Sequence, residues 1–304
     1  MVQVLLDGVL PIFAIAAIGY FMGKRGIFDS AGAAIINKIV FLVAVPALGF
    51  RLIINAPFAQ FDWFLLVGFF LSELAIYVLG FLVSRVVLKC DPMESILLGL
   101  AASFGNNILF ALPIAVTLFG EGATLPMVAI IVLDSILIFG GTIVIMEAMS
   151  ADNLTPRGLS RSILQNPPLV SMLFGILFAS SATEIPHGLN VFLKFVGDIA
   201  APSALFSLGI ILSQTMAFDR IVPSVSISII KLLAHPIFAW IFLSGVFGFM
   251  LSDVKTSMMA AAAPCGTMAF VLALNYQVRT DAIAPAILFT TLGSLASLTI
   301  VASW

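Results

Sequence analysis

The stretch Ser103-Phe104-Gly105-Asn106-Asn107-Ile108-Leu109-Phe110-Ala111-Leu112-Pro113 lies in the middle of a long apolar run. A helix crossing lipid has no ordinary use for Gly-Asn-Asn and then Pro at bilayer depth. Glycine loosens the backbone, and proline removes a donor and clashes with the carbonyl four residues back. Asparagine side chains can bond the freed backbone groups or a ligand. Hydrocarbon satisfies neither, so a helix broken here must face protein or a water-filled cavity. A second interruption, Ala263-Pro264-Cys265-Gly266-Thr267, stands in the second half of the chain. Interrupted spans at corresponding places in two halves point to a transporter binding site.

The surroundings agree. Of 304 residues, 62% are hydrophobic and only 9% charged, with mean hydropathy +1.21, which is too little charge to cover a water-facing surface. At roughly 20 apolar residues per span, the pattern predicts ten membrane helices at 4–23, 32–53, 61–88, 94–119, 123–149, 160–180, 189–214, 222–250, 253–277 and 281–303. The fourth is broken near Asn106 and the ninth near Pro264. The net charge of −2 favours neither nucleic acid nor an anionic surface. Cys90 and Cys265 suggest no disulfide or metal framework. The N-terminus lacks a basic segment and cleavage site, so the first apolar run is expected to be retained.

The halves echo each other, with the boundary in the loop 150–159 and repeats at 1–152 and 153–304. Pro11 parallels Pro167, Lys38 parallels Lys194, and Ala44-Val45-Pro46-Ala47-Leu48 parallels Ala201-Pro202-Ser203-Ala204-Leu205. Phe61-Asp62 parallels Phe218-Asp219, Glu73 parallels Lys231, Gly105 parallels Gly266, and Pro126 parallels Pro285. Five spans per repeat is an odd number, so the second repeat enters from the opposite side. Counting loops from the N-terminus, the odd ones hold Lys24, Arg25, Arg85, Lys89, Arg157, Arg161, Arg220 and Arg279, against Arg51 and Lys255 on the other side. The positive-inside rule then makes the odd loops cytoplasmic and both termini external. Trp63 and Trp304 stand near expected interfaces, where aromatic anchors gather.

Asn106 before Leu112-Pro113 and Phe119-Gly120 resembles the fourth span of the auxin efflux carrier family. The run from Ala261 to Ala273 resembles its ninth span, and Asn166-Pro167, Pro202 to Gly209 and Pro236 also fit. The resemblance covers essentially the whole chain. Lacking the large central loop of plant members, the chain is similar to compact, mostly bacterial members, which include malonate and malate carriers. It departs from plant members at Gly105, where they often have Pro, and at Cys265, where they often have Gln. The resemblance implies an all-α, ten-helix fold of two inverted repeats with crossed broken helices, like that of the bile acid/sodium symporters. It also implies an elevator-type mechanism, organic-anion substrates, and a homodimer in the bacterial inner membrane. Spans one, two, six and seven would form scaffold and dimer surface; spans three to five and eight to ten would move.

Two helices broken at mid-membrane expose two half-helix N-termini, each with unpaired amides and roughly half a positive charge. Together they suit an anion without any arginine. Asn106, Asn107, the backbone at Gly105 and Gly266, and Thr267 are therefore the expected carboxylate contacts, with Cys265 at the crossing and Pro113 and Pro264 as helix breakers. Helix caps alone would be the blander role for the asparagines. Ionisable groups inside a membrane are costly and mark function. Glu73, Asp134, Lys231 and His235 are thus candidates for coupling to a proton or to Na⁺, the latter near Asp134 among hard oxygen ligands. A static ion pair is the alternative for Glu73 and Lys231. His235, before Pro236, would otherwise bond a freed carbonyl, and Lys194 and Asp198 form a local pair.

The expected activity is secondary active transport of a small organic anion across a lipid bilayer, with no cofactor and no nucleic-acid partner. An uncoupled uniporter or channel of the same fold and a carboxylate receptor are the rivals. An enzyme is disfavoured: there is no nucleophile elbow, no His-Glu-x-x-His and no Gly-x-Gly-x-x-Gly opening a helix.

Overall fold

The computed structural model describes residues 14–120, 124–150, 164–181, 185–214 and 220–303. The helices among them are α1 (14–24), α2 (Ser30–Ile54), α3 (Trp63–Val87), α4 (Pro92–Ser103), α5 (107–119), α6 (Leu125–Ser150), α7 (Pro167–Ser180), α8 (His187–Gln214), α9 (Ile221–Val246), α10 (Lys255–Ala262), α11 (Met268–Asn275) and α12 (Ile283–Ala302). Six of them, α2, α3, α6, α8, α9 and α12, are long and apolar enough to cross a membrane. Strand-like pairing among the described residues is confined to one antiparallel bridge, Gly105 with Cys265. The start of the first expected span with Pro11, the repeat boundary with Arg157 and Arg161, Phe218-Asp219, and Trp304 lie outside the described residues.

Local chemistry sets the helix starts. Asp29 caps the Gly32 amide, Asp62 the amides of Phe64 and Leu65, and Asn166 that of Leu169, each meeting donors that a helix cannot satisfy itself. Of the two prolines expected to break helices, Pro264 lies in the interruption between α10 and α11, whereas Pro113 behaves like Pro46 and Pro236. Pro46, Pro113 and Pro236 each follow a widened π-turn, Val40–Ala44, Asn107–Ala111 and Ile230–Ala234. In each case the residue before the proline donates five residues back: Val45 to Val40, Leu112 to Asn107, His235 to Ile230. The extra residue in the turn absorbs the lost donor and the ring. Pro113 is thus not a break. It sits in the first turn of the segment Leu112–Phe119, and the interruption lies upstream, where Phe104 is extended and Asn106 leaves helical geometry.

The outer surface is apolar. Phe64, Val67, Leu71, Leu74, Val78 and Leu82 are exposed along one face of α3, and Val222, Val225, Ile229, Leu233 and Ile237 along α9. Polar groups point inward, with Glu73 and Lys231 both wholly buried. This inside-out distribution suits lipid as the surrounding solvent. Packing falls into two groups. α2 packs on α7 and α8. α1 joins them through close glycine contacts, since Gly209 meets the Ala16 carbonyl and Gly19 the Phe206 carbonyl. The second group is α3 to α6 and α9 to α12. The groups meet chiefly where α11 lies against α2 and α8, with Asn37 donating to the Val271 carbonyl at 2.9 Å.

Candidate functional site

The two interruptions face each other. The Asn106 N–H donates to the Pro264 carbonyl at 2.8 Å, and the Gly266 N–H donates to the Phe104 carbonyl at 2.9 Å. These reciprocal bonds centre on the bridge between Gly105 and Cys265. Gly105 thus lies opposite Cys265, with Gly266 one residue further on. Neither glycine is needed for a positive φ; both are needed for space. A Cβ on Gly266 would stand 2.7 Å from Phe104 Cδ1, and one on Gly105 would stand 2.9 Å from Asn107 Oδ1 and 3.2 Å from the Ala260 carbonyl.

Beyond the bridge, Asn106 stands at the N-cap of α5 and Thr267 at that of α11, and neither side chain caps its helix. Both open onto one cavity of about 180 Å³ between the two helix groups. From the second group it is lined by Phe104, Gly105, Asn106, Asn107, Asp134, Gly266 and Thr267, and from the first by Leu48, Gly49, Met172, Gly197 and Asp198 among others. Small-molecule sites more often offer ~300–1,000 Å³, so this one has room only for a small molecule. Asn107 is almost fully buried, and its Oδ1 meets no donor. Cys265 does not line the cavity: it is fully buried, and its N–H donates to Thr290 Oγ1 at 3.1 Å. Among the described residues, no three His, Cys, Asp or Glu are grouped as metal ligands.

Behind the cavity lie the buried ionisable groups. Lys231 Nζ donates to the Ser103 carbonyl, the last residue of α4, at 2.7 Å, and to His235 Nδ1 at 2.9 Å. With an ammonium as donor, His235 Nδ1 accepts and the ring proton sits on Nε2, which has no partner. His235 therefore bonds Lys231 and not a freed carbonyl. Neither carboxylate oxygen of Glu73 meets a donor, although Asp134 and Lys231 are both within electrostatic reach. A bond between two carboxyls needs a shared proton. Asp134 opens its own π-turn, Asp134–Phe139, in mid-helix with no proline to cause it, and Ser135 Oγ donates to the Ile131 carbonyl at 2.7 Å. Such bulges gather at functional sites.

A family model described as "Membrane transport protein" matches residues 4–302. The chain belongs to this family, that of the auxin efflux carriers. It is 27% identical over 302 residues to a Rhizobium meliloti protein described as "Putative malonate transporter", covering 96% of this chain and 92% of that one. An uncharacterized transporter of Methanocaldococcus jannaschii is 26% identical, covering 95% of each chain. One of Methanothermobacter thermautotrophicus is 23% identical over 96% of this chain and 95% of the other. The chain is thus a membrane transport protein and not an enzyme.

In this family member the structure gathers Gly105, Asn106, Asn107, Gly266, Thr267 and Asp134 around one cavity, with Glu73, Lys231 and His235 behind it. Two further polar clusters escaped the sequence reading. Asn166 donates to Glu147 Oε1 at 2.8 Å and to Tyr276 OH at 3.3 Å, and Tyr276 OH donates to Glu147 at 2.8 Å, joining both helix groups. Arg220 pairs with Glu94 and donates to Cys90 Sγ at 3.1 Å. Burial works against the Arg220 charge, but Glu94 and Cys90 outweigh it and hold the guanidinium above its usual value. Burial, and then Glu94, push the Cys90 thiol up. Their sequence signals were Asn166-Pro167 in the family pattern, Arg220 among the loop cations, and Glu147 and Glu94 at the ends of apolar runs.

Proposed function

We propose that the protein is an ion-coupled secondary transporter of a small organic carboxylate, working by elevator-type alternating access. The observation that carries this is the pair of uncapped half-helix starts opening onto one cavity. Their first-turn amides and aligned dipoles suit a carboxylate without a cation in the break itself. Asn106, Asn107 and Thr267 supply side-chain donors, and Gly105 and Gly266 bring the backbone close. The Rhizobium meliloti relative's name makes malonate the first substrate to try.

The reciprocal bridge is the local two-fold relation that two inverted five-helix repeats, with crossed broken helices, would produce. The helix group of α1, α2, α7 and α8 is the scaffold, and a homodimer would form on it; the other group moves, carrying both interruptions. The cavity between the groups then changes sides as one slides on the other, in an inner membrane with both termini outside. Coupling follows from charge. Glu73, Asp134, Lys231 and neutral His235 together are one positive charge short, a shortfall that a proton or Na⁺ supplies. Lys231 holds the Ser103 carbonyl at the interruption, so a change of charge there is felt at the substrate site.

The test is uptake of labelled malonate into proteoliposomes under imposed proton and Na⁺ gradients. Gradient-driven accumulation is expected, lost in Asn106→Ala. In Asp134→Asn the gradient dependence should vanish while exchange continues. Equal transport with and without either gradient would make the protein a uniporter, and binding without transport would make it a receptor.

A further inference from the structure

Asp198 lines the same cavity, and Arg51 lies next to Asp198, its Nη1 3.9 Å from the carboxylate; neither is used by the mechanism above. On α2 the lining residues are Val45, Leu48, Gly49 and Leu52, three or four apart and so on one face. Arg51, three residues after Leu48, is about 60° round from it. On α8 the lining residues are Gly197, Asp198 and Ala201. Gly197 brings the two helices together, since a Cβ there would stand 3.0 Å from Leu48 Cα. Arg51 is thereby placed beside Asp198.

The charges around Asp198 do not balance. Lys194 Nζ takes Asp198 Oδ2 at 2.5 Å, and Arg51 Nη1 approaches Oδ1 only to 3.9 Å. Two cations share one carboxylate. A guanidinium carries five N–H donors and engages a carboxylate at about 2.7–2.9 Å when the pairing is well made. Here the pairing is loose, and Arg51 Nε is buried with no acceptor among the described residues. A buried donor left unpaired is destabilising, so Arg51 Nε is short of an acceptor beside a residue, Asp198, that lines the cavity.

We propose that Arg51 is a specificity-determining residue that takes a second anionic group of the substrate, with Asp198 as the internal counter-ion that yields to it. This rests on the reading that the interrupted helices hold the first carboxylate. The ligand then spans the two helix groups, one end on the half-helix starts and the other on the scaffold rim. Its two negative charges are matched by helix termini at one end and a guanidinium fork at the other.

Equilibrium binding of malonate and of propionate, acids of equal carbon number differing in the second carboxylate, tests this on purified full-length protein. The wild type is expected to prefer malonate by at least about tenfold, the scale of a charge-assisted bidentate contact. Arg51→Gln should erase that preference while leaving propionate affinity unchanged, and Arg51→Lys should keep part of it, since charge survives without the fork. Asp198→Asn should tighten malonate, which a merely structural rim pair would not do. Equal weakening of both acids in Arg51→Gln, or an intact preference, overturns the assignment. Asn106→Ala reports on the underlying reading: it should weaken both acids alike. If it weakens neither while Arg51→Gln removes the preference, the helix-start site fails and the Arg51 contact stands. If the wild type binds neither acid, both fall.

Discussion

Replacing Gly266 by alanine tests whether the paired interruptions hold the site together. The added Cβ would lie 2.7 Å from Phe104 Cδ1, 3.2 Å from Cε1 and 3.3 Å from the Phe104 carbonyl oxygen. Carbon atoms rest about 3.5–4.0 Å apart, so roughly 1 Å must open between the two chains. The Gly266 N–H to Phe104 bond, at 2.9 Å, would then leave hydrogen-bond range, and its reciprocal from Asn106 would weaken with it. The alternative relief is for the Phe104 ring to swing into the cavity it lines. Overpacking of this kind costs about 1–3 kcal/mol, and at roughly 2–4 °C per kcal/mol the melting temperature in detergent should fall by a few to about 10 °C. Carboxylate binding should weaken at least about tenfold, because 1.4 kcal/mol is a factor of ten. Differential scanning fluorimetry and equilibrium binding read the two effects. Gly141→Ala is the control: a Cβ there meets nothing within 4 Å, so it should be neutral or slightly stabilising. Phe104→Ala combined with Gly266→Ala should recover the lost stability by removing the clashing ring. A Gly266→Ala protein that melts and binds like Gly141→Ala, or a double variant no better than the single one, would refute the steric account.

Lys231→Met should be severe. It strips the Ser103 carbonyl of its donor and leaves Glu73 and Asp134 uncompensated, a loss of about 3–5 kcal/mol for a broken buried charge set. Adding Glu73→Gln should restore part of the melting temperature, and strictly additive effects would count against electrostatic linkage. Asn166→Ala removes the cap on Leu169 and the donor to Glu147 and Tyr276, worth about 1–2 kcal/mol. Hydrogen exchange should quicken at the start of α7 and stay unchanged around Asn106.

The interruptions were legible because Gly, Asn and Pro inside an apolar run have no other use at bilayer depth. Their placement near Asn106 and Pro264 was legible as well, but the part played by Pro113 was not. Pro113 looked like the breaker, yet a π-turn carries the helix past it, and the chain leaves helical geometry at Phe104 to Asn106. A proline states that one donor is missing but not whether the helix widens or ends there. That Gly105 faces Cys265 could not be read from the sequence, because pairing depends on which amide meets which carbonyl. Glu73 and Lys231 were picked out as charges within spans, and burial on packed helices agrees with that reasoning. Arg51 read as a loop charge and Asp198 as half of a local pair with Lys194. Their meeting at the cavity rim depends on how closely α8 approaches α2 at Gly197.

By itself, the order of residues determined a helical membrane protein with two interrupted segments and inward-facing charges. Those properties follow from transfer between water and lipid, and each residue carries its own share. Tertiary structure alone decided that the interruptions pair, that Cys265 turns away from the cavity, and which groups share the rim. Those depend on interhelical distances of a few ångströms set by small residues far apart in the chain, and no local pattern encodes them.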